Sequence, residues 1–168
     1  MQPCQVVNLP EFSKSMNKSA VLSALRAELE SQFRRVADAA DEARGYATDA
    51  DSKAENKYDT RTTEASYLAA GQAAKAEELA ATVRLFTTWA PPDFGAGDPI
   101  DLGALVEVAF GPGKGNRSAF LLAPGGGGLD TECDGITVTV ISPQAPLFQQ
   151  LKGRQVGEAP GMTIVAVS

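Results

Sequence analysis

The 168-residue chain contains no histidine. That absence excludes Ser-His-Asp and Cys-His nucleophilic catalysis and removes most metal centres. Only two cysteines occur, Cys4 and Cys133, far apart and with no partner histidine or cysteine nearby. They do not make a disulfide framework or a zinc site and read as reduced thiols. Aromatic residues are scarce, 7% against 43% hydrophobic residues in all, so the core must be aliphatic and built from small side chains. No apolar run approaches the ~18–20 residues that span a bilayer. The first fifteen residues lack the charged start and apolar stretch of a secretory signal, so the expected location is cytoplasmic, with no membrane partner. Surplus positive charge is also missing: the net charge is −6. A stand-alone nucleic-acid binder normally presents excess Lys and Arg. The acidic balance argues against that class and is compatible with docking on a basic surface.

Proline is absent from Glu11 to Ala90, a stretch rich in Ala, Glu, Lys, Arg and Gln. After Pro91-Pro92 come glycines, prolines and β-branched residues. This is a shift from helical to strand composition. It predicts a helical domain over 16–89 and a β-rich domain over 90–168. Residues 1–15, ahead of a segment that opens at Met16 like a natural start, read either as a disordered extension or as the product of a misplaced start codon.

Two helices are expected in the first domain. Asn17 or Ser19 can cap the first, and Val21, Leu22, Leu25, Leu29, Phe33, Val36 and Ala40 then form one apolar stripe. The second is expected from about Ala54 to Thr87, with Tyr58, Ala65, Leu68, Gln72, Ala76, Leu79, Val83 and Phe86 on its stripe. Antiparallel pairing buries both stripes. The alanines allow close approach but contribute little area, so a modestly stable hairpin is expected, stiffened by charge pairs on its outer faces. Gly45, Thr48, Asp49, Asp51 and Ser52 place the turn between about Tyr46 and Lys53. Each arm of about thirty-five residues spans roughly 50 Å, so the hairpin should project beyond its base.

In the second domain, Leu105–Phe110, Ala119–Ala123, Ile136–Ile141 and Thr163–Val167 read as strands, and Ala145–Leu151 as a short helix ended by Gly153. The fold class is α+β: an antiparallel coiled-coil hairpin followed by a mostly antiparallel sheet with one short helix. Pro124-Gly-Gly-Gly-Gly128 lacks the lysine and following helix of a phosphate loop and reads as a flexible connection. Gly111–Gly115 reads as a hairpin turn. Trp89, beside Pro91, is expected to pack at the domain junction.

The chemistry is expected at the hairpin turn, where Asp49, Asp51, Glu55 and Asp59 cluster. Asp51 and Glu55 are four apart and share a face if the second helix has begun. Acids near a helix N-terminus also complement its dipole with no further role. A carboxylate pair at the end of a rod can instead complete the coordination of a magnesium ion in another protein's active site. Lys53, Lys57 and Arg61 recur every four residues beside the acids, either as surface charge pairs or as contacts to RNA 3′ phosphates or polymerase loops.

The run Asp51-Ser-Lys-Ala-Glu55-Asn56-Lys57-Tyr58-Asp59 resembles the tip of Gre-type transcript-cleavage factors of bacteria, where an Asp is followed after two residues by Glu-Asn and shortly by Tyr. Glu55-Asn56 matches that step. The family's Asp position is Ser52 here, with Asp51 one residue earlier, and Tyr58 is one residue closer to Asn56. Ile141-Ser142-Pro143-Gln144-Ala145-Pro146-Leu147, followed by Leu151-Lys-Gly153 and Val156-Gly157-Glu158, is similar to the closing motif of the Gre C-terminal domain. There Ala145 replaces the usual Ser, and Phe148 the usual Gly. Ile100–Val106 is similar to that domain's opening strand.

The resemblance implies an FKBP-like docking domain with Ser142, Pro143, Pro146 and Leu147 on its docking motif. It implies bacterial RNA polymerase as partner, and the nascent RNA 3′ end as an indirect one. The chain would act as a monomer and not as an enzyme by itself. It would have no cofactor of its own; Asp51 and Glu55 would share Mg2+ with the polymerase, and Asp49, Asn56, Lys57, Tyr58, Asp59 and Arg61 would make tip contacts. A regulator that occupies the same channel without promoting cleavage is the alternative. A prolyl isomerase on an FKBP-like domain is disfavoured by having only Phe110, Phe120 and Phe148 as aromatics after residue 100.

Overall fold

In a computed structural model, the described residues are 16–48, 61–95, 97–110 and 116–168. Two long helices come first, α1 (Lys18–Thr48) and α2 (Arg61–Thr88). The side chain of Asn17 accepts the backbone N–H groups of Ser19 and Ala20 at 3.0 and 3.3 Å. Asn17, and not Ser19, is therefore the cap of α1, satisfying donors that have no partner inside the helix. At 1.5 Å per residue α1 is about 46 Å long. The Arg26 guanidinium donates to the carbonyls of Phe86 (2.7 Å), in the last turn of α2, and of Trp89 (3.2 Å), just after it. The start of α1 thus lies beside the end of α2, and the helices form an antiparallel hairpin. The expected first seven residues of α2, from Ala54 to Thr60, lie outside the described residues, as does the Gly111–Gly115 turn.

The stripe on α1 is as the spacing predicts. Val21, Leu22, Leu25, Leu29 and Ala40 are buried, and Phe33 and Val36 are half-buried against the same cluster. On α2, Leu79 and Phe86 are buried and Gln72, Ala76 and Val83 half-buried. Leu68 is a correction: it is 57% exposed, beside Tyr67 at 76%. The inward line passes through Ala69 instead. Alanine occurs on every side of this helix, so periodicity there does not single out one face. The expected charge pairs are present on the outside: Arg35–Glu28 (3.3 Å), Arg44–Asp41 (2.8 Å) and Lys75–Glu78 (2.9 Å). Being exposed, each contributes at most about 1 kcal/mol.

The remainder forms one sheet with the strand order β3-β4-β2-β1-β6-β5. The strands are β1 (Leu105–Phe110), β2 (Asn116–Leu122), β3 (Asp130–Cys133), β4 (Ile136–Ile141), β5 (Gly157–Ala159) and β6 (Met162–Val167), with the short helix α3 (Pro146–Leu151) between β4 and β5. Four pairings are antiparallel and one, β2 with β4, is parallel. The chain leaves β2, passes the end of β4 to the outer edge as β3, and returns inside it as β4. The edge strands β3 and β5 were not among the expected four. Both are short, and β3 reads Asp-Thr-Glu-Cys.

Both faces of the sheet are covered. One packs Leu105, Ala119, Leu121, Val138 and Val140 against Val21, Leu22, Leu25, Leu29 and Phe86 of the hairpin. The other packs Val106, Val108, Leu122, Ile141 and Ile164 against Phe148 and Leu151 of α3, with Ile100. Burial on two sides explains why β1 alternates poorly in sequence. The base of the hairpin and the sheet therefore share a single core. Trp89 joins it as expected, edge-on to Phe86 at 5.7 Å between ring centres.

Residues 124–128 are not a loose connection. Gly126 (φ +71°) lies so close to Phe86 that a Cβ would come within 2.8 Å of the ring, and a Cβ on Gly127 would come within 2.8 Å of Ser142 Oγ. Gly128 N–H donates to Val140 O at 2.8 Å. Gly125, Gly126 and Gly127 let the backbone pack between the hairpin base and the end of β4, where a Cβ at each would come within 3 Å of a neighbouring side chain, whereas Gly128 has open space and needs glycine only for its φ of +87°.

Candidate functional site

The expected functional residues fall in two stretches of the chain, one around the turn between α1 and α2 and one between β4 and α3. The tip residues Asp49, Asp51, Glu55, Asn56, Lys57, Tyr58 and Asp59 lie outside the described residues, as does the side chain of Arg61, whose backbone opens α2. What is described is how the two arms approach them. α1 runs to Thr48 and α2 starts at Arg61. Toward the start of α1, Ala24, Ala27 and Glu28 line a groove together with Asp130, Thr131 and Glu132 of β3. Among the described residues, no group of three or more His, Cys, Asp or Glu is arranged to hold a metal ion.

The second region is the Ser142–Leu147 segment, which the structure brings together between β4 and α3. Ser142 O accepts the Ala145 N–H at 2.9 Å, closing a turn. Pro143 O accepts from the Gln149 side chain at 2.7 Å. Pro146 occupies the first turn of α3, where a missing N–H costs nothing. Pro146 is exposed, whereas Ser142, Pro143 and Leu147 are half-buried. Ser142 faces the glycine segment, and Leu147 packs on the core around Phe148 and Leu151. Of the four, Pro146 thus presents the most surface. Ala145 stands at the N-cap of α3 with extended backbone (φ −72°, ψ 135°) and no side-chain cap bond. A serine at this position would supply that bond.

Sequence reasoning missed the cleft beside this turn. Phe94, Leu102, Pro143 and Phe148 line a cleft of about 530 Å3 whose rim carries Asp101 and Lys152, paired at 3.3 Å. The backbone N–H of Leu102, donating at 2.8 Å, holds the Asp101 carboxyl below its ordinary range, with Lys152 adding to the effect.

At the hairpin base, Lys18 is buried and its ammonium donates to Pro92 O at 2.6 Å while lying 5.0 Å from the centre of the Phe94 ring. Burial lowers the pKa of this lysine, and the Asp93 carboxylate acts against that shift. Lys18 thereby ties the connecting segment to the first turn of the hairpin, a role its place in the sequence did not reveal. Glu107, in the middle of β1, is also buried, and desolvation raises its pKa against the pull of Arg117.

The described residues define an α+β protein in which an antiparallel two-helix hairpin stands on one face of a mixed six-stranded sheet. No helix among them is long and apolar enough to cross a membrane. No protein-family model and no curated protein matches the chain. Among solved structures it is similar to the GreA factor homolog 1 (Gfh1) protein of Thermus thermophilus. That match has 20% identity and a TM-score of 0.35, covering 86% of this chain and 95% of that one. It is also similar to Gfh1 of Thermus aquaticus, with 18% identity and a TM-score of 0.33, covering 90% and 96%.

Proposed function

We propose that the chain is a Gre-type factor acting on bacterial RNA polymerase, docking through its sheet domain and extending the hairpin into the channel that leads to the polymerase active site. The observation that carries this reading is the hairpin itself. Its base is locked into the sheet's core, and its arms run on to a connection, 49–60, that holds Asp49, Asp51, Glu55 and Asp59. An acidic segment joined to the far ends of two long helices is suited to reaching a site that the body cannot enter. Pro146 and its neighbours, ordered by the turn at the start of α3, would contribute the docking surface.

In this reading Glu55, with Asp51 or Asp49, donates carboxylate oxygens toward a Mg2+ ion of the polymerase, and Asn56, Lys57, Tyr58, Asp59 and Arg61 contact the surrounding channel and the RNA 3′ end. The ion supplies charge stabilisation and an activated water for hydrolysis of the phosphodiester. The chain is then not an enzyme by itself, has no cofactor of its own, and works as a cytoplasmic monomer. Glu55→Ala should lower cleavage of RNA in a backtracked polymerase by roughly 100-fold or more while binding to the polymerase persists. Unchanged cleavage with that variant would exclude the assignment.

A second reading is favoured by one observation, the position of the acid before Glu55. The family places it three residues earlier, and here that residue is Ser52, with Asp51 a further residue away. A factor with this spacing would occupy the channel and slow transcription without promoting cleavage. Exchanging the two residues, Asp51→Ser with Ser52→Asp, should then raise cleavage above that of the natural chain. No gain would assign the effect to something other than spacing.

A further inference from the structure

Among the described residues the outer edge of β3 is an open sheet edge with a groove beside it, and β3 pairs there only with β4. Its outward groups follow from the turn that joins the two strands. Asp134 and Gly135, both at positive φ (53° and 76°), make a two-residue hairpin turn. Cys133 and Ile136 therefore exchange hydrogen bonds, and the alternation of an antiparallel ladder makes Thr131–Val138 the next such pair. The following pair is recorded directly, with Val140 N–H donating to Leu129 O at 2.7 Å. The N–H and C=O groups of Asp130 and Glu132 consequently point away from β4, toward the edge. Along this edge runs a groove of about 570 Å3, lined by Ala24, Ala27 and Glu28 of α1 and by Asp130, Thr131 and Glu132. The two alanines leave the space that larger side chains on α1 would fill.

We infer that this groove receives an extended, basic peptide segment of a partner protein, which adds to the sheet as a strand beside β3. Backbone groups of Asp130 and Glu132 provide hydrogen bonds, the usual source of affinity in strand addition. Charge selects the partner. Glu28 already accepts from Gln32 (2.9 Å) and Arg35 (3.3 Å), and Asp130 from the Thr139 hydroxyl (2.6 Å). Among the described residues no lysine or arginine forms an ion pair with Asp130 or Glu132. The same carboxylates disfavour a second copy, whose β3 would bring Asp130 and Glu132 against their equivalents.

The pleat gives the pattern of the peptide. Thr131 and Cys133 are buried and Asp130 and Glu132 exposed, so the two pairs face opposite sides of the sheet. An added strand would place small residues on the side beneath Ala24 and Ala27 and Lys or Arg on the other side, giving an alternating small–basic sequence.

The test uses the full chain and a capped, fluorescently labelled octapeptide alternating valine and arginine, with binding read by anisotropy. Saturable binding is expected. It should weaken by roughly tenfold or more with Asp130→Lys/Glu132→Lys, and with Ala27→Trp, which fills the groove. A peptide N-methylated at alternate residues, on the edge that faces β3, should lose binding without any change to the protein. Equal binding of the methylated and parent peptides would reduce the effect to charge attraction and overturn the inference. Absence of binding by the parent peptide, or concentration-dependent dimers of the chain blocked by Ala27→Trp, would overturn it as well.

Discussion

Near the sheet the two helices of the hairpin bury leucine, valine and phenylalanine; further out they bury alanine. Leu25, Leu29 and Phe86 are at most 1% exposed, and they pack against strand residues as well as against each other. Beyond Val36 the inward residues are Ala40 and Ala43 on α1 and Ala69, Gln72 and Ala76 on α2. A fully buried leucine contributes about 1.5–3 kcal/mol relative to exposure, whereas each alanine offers a single methyl group. Two helices of one pattern thus have unequal ends, a base that carries the stability and a slender outer part that extends from it. The narrow outer profile is obtained by giving up buried area where the sheet no longer helps.

This contrast can be broken at its strongest point. Phe86→Ala should cost about 3–5 kcal/mol in urea unfolding, because the ring fills the junction of hairpin, glycine segment and sheet. A loss under 1 kcal/mol would mean the base is not the stability centre. Arg26→Met, which keeps the aliphatic stem but removes two bonds to the end of α2, should cost about 1.5–3 kcal/mol, measured the same way. Ala145→Ser probes the turn between β4 and α3, where it should add about 0.5–1 kcal/mol by supplying the missing cap of α3. No change in melting there would show that the backbone turn alone sets that helix start. At the outer part, Leu68→Ala should shift stability by less than about 0.5 kcal/mol, since the side chain is already largely in water. A larger loss would reveal a contact that the exposure of this residue does not suggest.

Much of the architecture was legible in the residues. The spacing of Val21, Leu25, Leu29 and Phe33 gave α1 its inward face, and the runs at 105–110, 136–141 and 163–167 lie within observed strands. The two omitted strands had weaker signals. Asp134-Gly135, flanked by Thr131 and Cys133 on one side and Ile136 and Val138 on the other, was the available sign of β3. β5 has three residues and no pattern to read. Leu68 was assigned inward because spacing locates a stripe but does not choose among near-equivalent faces when alanine lies on all of them. The chemical residues of the proposed site came from the letters of the tip, chiefly Glu55-Asn56, while the described structure bears on the rod that leads to them.

The sequence alone determined the element types and the change at Pro91, because helix and strand periodicities, proline and glycine act over a few residues. Only the tertiary structure decided that the hairpin base and the sheet share a core, that β2 and β4 run parallel, and that residues 124–128 are packed. It also decided that Lys18 is buried against Pro92. Each of these depends on residues distant in the chain meeting in space, and whether two such surfaces meet is set by the competition of all burial at once, which no local pattern records.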